Sequence, residues 1–151
     1  MEHQLAGLNQ IYNLLILSEN LTTAGQPSDE ELRLVARCGF NVVINLALAD
    51  AEYALEDERG LVHSLGLAYE HIPVQWENPT DEDLSAFFQT MERYKHKKVF
   101  LHCAANKRVS VFVALYRISC LGWPEPLALK DVHRIWEPDP IWRDFLEKHK
   151  G

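Results

Sequence analysis

Lys97-Lys98-Val99-Phe100-Leu101-His102-Cys103-Ala104-Ala105-Asn106-Lys107-Arg108-Val109-Ser110 is the stretch that decides the fold. A short apolar run ends in His-Cys, a loop of small residues follows, and a cationic pair opens a strongly apolar segment. The pattern predicts a buried strand, a tight loop and a helix of roughly residues 107–121 that is apolar nearly all round and sits in the middle of the fold. Such a layout places the Cys103 thiol at the carboxyl end of a strand, facing a helix N-terminus. Helix N-termini carry N–H groups without intrahelical partners and a positive dipole. Both features favour a thiolate and bind oxyanions. A thiolate above an anion cradle is the equipment of a phosphoryl-transfer nucleophile.

Outward from this stretch, strand and helix patterns alternate. Residues 14–20 read as a first strand and turn. Ser28 and Glu31 form a capping box for a helix that stops near Gly39, with Leu32, Val35 and Ala36 on one face. Val42-Val43-Ile44-Asn45-Leu46 is the near-continuous apolar run of a strand covered on both faces. A polar helix is predicted over 51–65 and a strand over 68–74. Thr80 caps a helix whose Leu84, Phe87, Phe88, Met91 and Tyr94 share a face. Two short helices close the chain, the second capped by Asp139 with Pro140 at its first position. Alternation of this kind predicts a single domain over 1–151. It is an α/β sandwich with a mostly parallel central sheet flanked by helices, and the cysteine loop lies between a central strand and a buried helix. Sites in such sheets lie at the carboxyl ends of the strands.

Composition narrows the function classes. The 151 residues carry a net charge of -7, which opposes nucleic-acid binding by phosphate neutralisation. No run is long enough to span a bilayer, so no membrane is expected as a partner. The three cysteines form neither a disulfide framework nor a metal-ligand pattern, so no cofactor or metal is expected. A reducing cytoplasm is the default, with a removed signal peptide left open. Cys38 and Cys120 read as small core residues. The acidic residues Asp50, Glu52 and 56–58 read as a solvated helix face, and Trp123, Trp136 and Trp142 as an apolar patch.

The cysteine stretch resembles the signature of the cysteine-dependent protein tyrosine phosphatase superfamily, in which His-Cys precedes five residues, an arginine and a hydroxyl residue. The chain is most similar to compact dual-specificity-type phosphatases, and among them to a bacterial domain also found in beta-lactamase-hybrid proteins. Residues 20–28, 43–46, 69–74 and 102–106 carry the resemblance. It implies that Cys103 attacks phosphorus and forms a phosphocysteine. It also implies that His102 holds the loop, that Ala104, Ala105, Asn106, Lys107, Arg108 and Val109 cradle the phosphate, and that Ser110 stabilises the leaving thiolate. Asn106 stands where the family has glycine, at a position that often needs positive φ, which Asn tolerates. The substrate class implied is a phosphorylated small molecule or phosphoprotein, with bound phosphate or sulfate at the same place.

One departure stands out: without a gap, Val109 occupies the arginine position and Arg108 comes one residue early. Either the loop keeps family length and loses the usual clamp, or it is one residue shorter and Val109 replaces the hydroxyl. The helix frame favours the first register, with the Arg108 side chain still reaching the anion from the first helical turn. The family's general acid follows the strand at 69–74, but no Asp stands there. Glu77 is the nearest substitute and Asp81 the next. Trp76 either walls the pocket or underlies the loop. Three functions follow: a cysteine phosphatase, an anion-binding pseudophosphatase, or a persulfide sulfur carrier.

Overall fold

A computed structural model describes residues 7–151. Five strands form one sheet: β1 (Leu15–Ser18), β2 (Leu21–Ala24), β3 (Val42–Asn45), β4 (Ala68–His71) and β5 (Val99–His102), in the order β1-β2-β5-β3-β4. β2, β5, β3 and β4 are mutually parallel, and β1 pairs antiparallel with β2 at one edge. Among the described residues, the sheet is accompanied by α1 (Asp29–Arg37), α2 (Glu58–Ser64), α3 (Asp81–Arg93), α4 (Lys107–Ser119), α5 (Glu125–Ile135) and α6 (Pro140–His149). The mostly parallel α/β sandwich is the architecture the alternating pattern predicts.

The pleat sorts β3 and β5 between two cores. Val42, Ile44, Val99, Leu101 and Cys103 face the layer that includes α4, packed with Phe87, Phe112 and Trp142. Val43 and Phe100 face the other layer with Leu32, Val35 and Val62. Successive side chains of a strand point to opposite faces. Cys103 therefore belongs to the α4 side and His102 to the side of α1 and α2. All residues of β3 and β5 are buried, which explains their lack of polar alternation.

Several boundaries differ from the sequence expectation. The first strand ends at Ser18, and Leu21-Thr22-Thr23-Ala24 forms a second strand beside β5. Its two threonines are buried and give no apolar run to read. The helix expected over 51–65 is confined to Glu58–Ser64, because Asp57 is the N-cap and accepts from the Gly60 N–H at 3.0 Å. The strand expected over 68–74 stops at His71. Both capping boxes form, at Ser28 and at Thr80. Cys120 is exposed rather than a core residue, because it lies at the end of α4. The C-terminal tryptophans do not form a surface patch. Trp142 is fully buried, and the Trp76 ring lies 5.3 Å from Trp136 and 5.6 Å from Trp142.

Candidate active site

The parallel register aligns Ala24, His102, Asn45 and His71 across the carboxyl edge of the sheet. Cys103 follows on the central strand β5 and is 1% exposed. The loop then turns into α4 through Asn106, whose φ of 65° is the left-handed conformation expected of it. Asn106 is fully buried and earns that strain with its side chain: Nδ2 donates to the Asn13 carbonyl at 2.8 Å and to Thr23 Oγ1 at 3.0 Å. Gly25 passes so close to the loop that an added Cβ would lie 2.7 Å from the Ala104 carbonyl oxygen.

Three successive loop carbonyls are held from outside the loop. Cys103 O meets His102 Nδ1 at 3.1 Å, Ala104 O accepts from the Gln26 N–H at 2.9 Å, and Ala105 O accepts from Asn13 Nδ2 at 3.0 Å. In a planar trans peptide, a carbonyl turned one way turns the following N–H the other way. Successive N–H groups presented together make an anion-binding concavity. Above the loop, Tyr12, Gln26, Pro27, Tyr53, Ala104 and Ala105 line an open cleft of about 570 Å³.

Arg108 is 5% exposed. Its Nη1 donates to the Val74 carbonyl at 2.7 Å and Nη2 to the Tyr53 hydroxyl at 3.1 Å, and its guanidinium lies over the Trp76 ring. Its Nε is buried, and among the described residues this charged donor has no acceptor. Val109 is fully buried in the sheet core. Ser110 points away from Arg108, since two residues rotate a helix by about 200°. Its hydroxyl donates to the Lys107 carbonyl at 2.6 Å and accepts from Trp136 Nε1 at 3.1 Å. The Lys107 ammonium lies over the Trp136 ring.

Glu77 is exposed and lines a groove with Asn78, Ile141, Asp144 and Lys148, in which no residue of the cysteine loop takes part. Asp81 pairs with Lys148 and His149 on α6. The segment carrying Glu77 is held toward α6, where Trp142 Nε1 donates to the Trp76 carbonyl at 3.0 Å. The structure thus joins Cys103, His102, Ala104, Ala105 and Asn106 in one strand-loop unit, holds Arg108 on Val74 and Tyr53, and leaves Ser110, Lys107 and Glu77 directed elsewhere.

Glu58 is the residue that sequence reading missed. It is 7% exposed rather than part of a solvated face, and its carboxylate meets His102 Nε2 at 2.6 Å and Gln26 Nε2 at 2.9 Å. Burial pushes its carboxyl up, but the charge of His102 and hydrogen bonds from His102, Gln26 and Tyr69 outweigh that and hold it below the ordinary value. Burial and the Glu58 charge push the Tyr69 phenol well up. The available signal was the pleat: a buried His102 on the face opposite Cys103 needs its own polar partner. Among the described residues, no helix is long and apolar enough to cross a membrane.

The profile of a family described as a DSP-PTPase phosphatase fused to NAD+ kinase matches residues 16–130. A beta-lactamase hydrolase-like protein of Xylella fastidiosa is 29% identical over 106 residues, which are 68% of this chain and 24% of that protein. The dual specificity protein phosphatase TpbA of Pseudomonas aeruginosa is 25% identical over 124 residues, 81% of this chain and 54% of TpbA. The chain thus spans between a quarter and about half the length of these curated relatives. A crystal structure of a DUF442 protein from Shewanella putrefaciens CN-32 superposes with a TM-score of 0.87 at 33% identity, covering 95% of each chain.

Proposed function

We propose that this chain, which belongs to the DSP-PTPase phosphatase family, hydrolyses a phosphomonoester through Cys103. One observation carries the reading: Cys103 follows the central strand at its carboxyl end and leads through a short loop into α4, whose first turn carries a buried Arg108 with an Nε that has no partner among the described residues. A phosphate on the loop supplies that acceptor, and arginine's planar fork suits phosphate oxygens. The family resemblance, the turned-out carbonyls and the positive φ at Asn106 support the same assignment.

The steps follow from the groups present. The Cys103 thiolate sulfur attacks phosphorus, the ester P–O bond breaks, and the leaving group departs with the electron pair as an alkoxide or phenolate that takes its proton from water. Water then attacks the phosphocysteine, the P–S bond breaks, and inorganic phosphate and the thiolate are regenerated. The loop N–H groups and Arg108 offset charge on the transferring phosphoryl oxygens, which is most of what this chemistry requires. Glu77 and Asp81 are both directed away, so the leaving group departs without a carboxylic acid at hand. Aryl esters, whose leaving groups need little protonation, are therefore the better substrates.

That same lack of a placed acid favours a second reading, a phosphate-binding module with little turnover. Steady-state hydrolysis of a small aryl phosphate near pH 6, wild type beside Cys103→Ser, separates the two. Activity lost in the variant supports the phosphatase. A wild type that binds phosphate without turnover supports the binding module. A wild type that does neither refutes both.

A further inference from the structure

The carboxylate of Glu58 touches no residue of the cysteine loop beyond His102, yet two hydrogen-bonded paths lead from it to consecutive loop carbonyls. Through Oε2 it holds His102 Nε2 at 2.6 Å, and His102 Nδ1 meets the Cys103 carbonyl at 3.1 Å. Through Oε1 it accepts from Gln26 Nε2 at 2.9 Å, and the Gln26 backbone N–H donates to the Ala104 carbonyl at 2.9 Å. A carbonyl only accepts, so Nδ1 is the donor to it, and Nε2 faces a carboxylate that also accepts from Gln26.

We propose that Glu58 is a positioning residue for the nucleophile loop: by bracing His102 and Gln26 together, it fixes the peptide planes that turn the Ala104 and Ala105 N–H groups toward a bound phosphate. The inference rests on the phosphatase reading for its ligand but not for its geometry. Burying a carboxylate is expensive, and a well-packed apolar residue would usually serve stability as well. What an apolar residue could not supply is a single acceptor shared by two arms that end on adjacent carbonyls. The pleat makes this possible: Cys103 takes the α4 face of β5, so His102 necessarily takes the face where α2 presents Glu58. The Tyr69 hydroxyl, which accepts from Asn45 Nδ2 at 3.1 Å, adds to the polar setting of Glu58 from β3 and β4.

The test is Glu58→Gln, whose amide has one acceptor oxygen and one NH2 where the carboxylate has two acceptors. One arm keeps its partner and the other meets a donor. Backbone 15N–1H shifts of Ala104 and Ala105 in the phosphate-free protein should move, those of α6 should not, and inorganic phosphate should bind about tenfold more weakly or worse. A folded Glu58→Gln with unchanged Ala104 and Ala105 shifts and a phosphate Kd within twofold of wild type would overturn the proposal. Should Glu58→Gln fail to fold, Gln26→Ala cuts one arm alone. It should shift the Ala105 amide, whose peptide plane that arm holds, and an unchanged shift there overturns the proposal equally. If wild type neither binds phosphate nor turns over ester, the phosphatase reading falls, while the amide shifts still decide whether Glu58 orders the loop.

Discussion

Arg108→Ala tests the anion clamp most directly. The guanidinium spends two donors inside the protein, on Val74 O and the Tyr53 hydroxyl, and its buried Nε is left over. A hydrogen bond from a charged donor contributes about 1.5–3 kcal/mol. Losing one such bond to phosphate weakens binding roughly 10- to 150-fold. Thermal melts make this measurable without turnover. At a phosphate concentration of about 100 times the wild-type Kd, binding stabilises the fold by about 2.7 kcal/mol. In a domain of this size that raises Tm by about 5–11 °C. At the same concentration Arg108→Ala should gain only about 0.3–1.4 kcal/mol, or about 1–6 °C. The comparison is between each protein with and without phosphate, so the stability lost with the two internal bonds cancels. An equal phosphate-induced shift in both proteins would refute the assignment of Arg108 to the anion.

Four further outcomes follow from the geometry. Ser110→Ala should turn over aryl phosphate within about twofold of wild type, with a modestly lowered melting temperature, because its hydroxyl serves the first turn of α4 and Trp136. Gly25→Ala should weaken phosphate binding several-fold while circular dichroism stays unchanged, since the new Cβ lies 2.7 Å from the Ala104 carbonyl oxygen and the loop must shift. Melts of the Asn106 variants should rank wild type above Asn106→Gly above Asn106→Ala. Both lose the bonds to Asn13 and Thr23, and alanine adds about 1–2 kcal/mol of left-handed strain. The folded-state carboxyl of Glu58 is lowered, so its stabilisation is fully present above the ordinary carboxylate range and is lost as pH falls through the folded value. Melts of wild type and Glu58→Gln should therefore converge below about pH 4, and a gap that stays constant down to pH 2 would contradict the charged pair.

The strand-loop-helix unit at Cys103 was legible because it is local: β5, the small loop and α4 are contiguous, and their apolar runs mark two-sided burial. Asn106 was legible for the same reason, since its left-handed backbone is a property of one residue type in one loop. The partners of that unit were not. Val74 and Tyr53 lie 34 and 55 residues from Arg108, and Glu58 lies 44 from His102. Glu58 was hidden inside an acidic run whose other members, Glu56 and Asp57, are exposed. Composition averages over the run, whereas the first turn of α2 separates its members by face. β2 went unread because Thr22 and Thr23 bury hydroxyls rather than hydrocarbon. The segment after β4 misled because the acid expected there comes from family resemblance, while Trp76 and Trp142 hold it toward α6.

The displaced arginine and the misplaced serine have one cause. Asn106 fixes where α4 begins, and each residue after it is turned by about 100°. Position 109 then points into the sheet core, where only an apolar side chain packs, and Val109 is fully buried there. Val109 belongs to the apolar cluster that includes Ile44, Leu46 and Leu101, and the guanidinium does not. One residue earlier, the same group reaches the carboxyl ends of the strands and finds Val74 O and Tyr53. One residue later, a side chain faces α5, which is where Ser110 meets Trp136. In this chain, the cation that reaches the strand ends is therefore the one at 108. On the phosphatase reading proposed above, the residue after Arg108 has no hydroxyl, so stabilising the leaving thiolate would fall to the loop amides and the helix N-terminus. On that same reading, the orientation of those amides, which the proposed brace from Glu58 would set, matters more here than in a loop that keeps the hydroxyl.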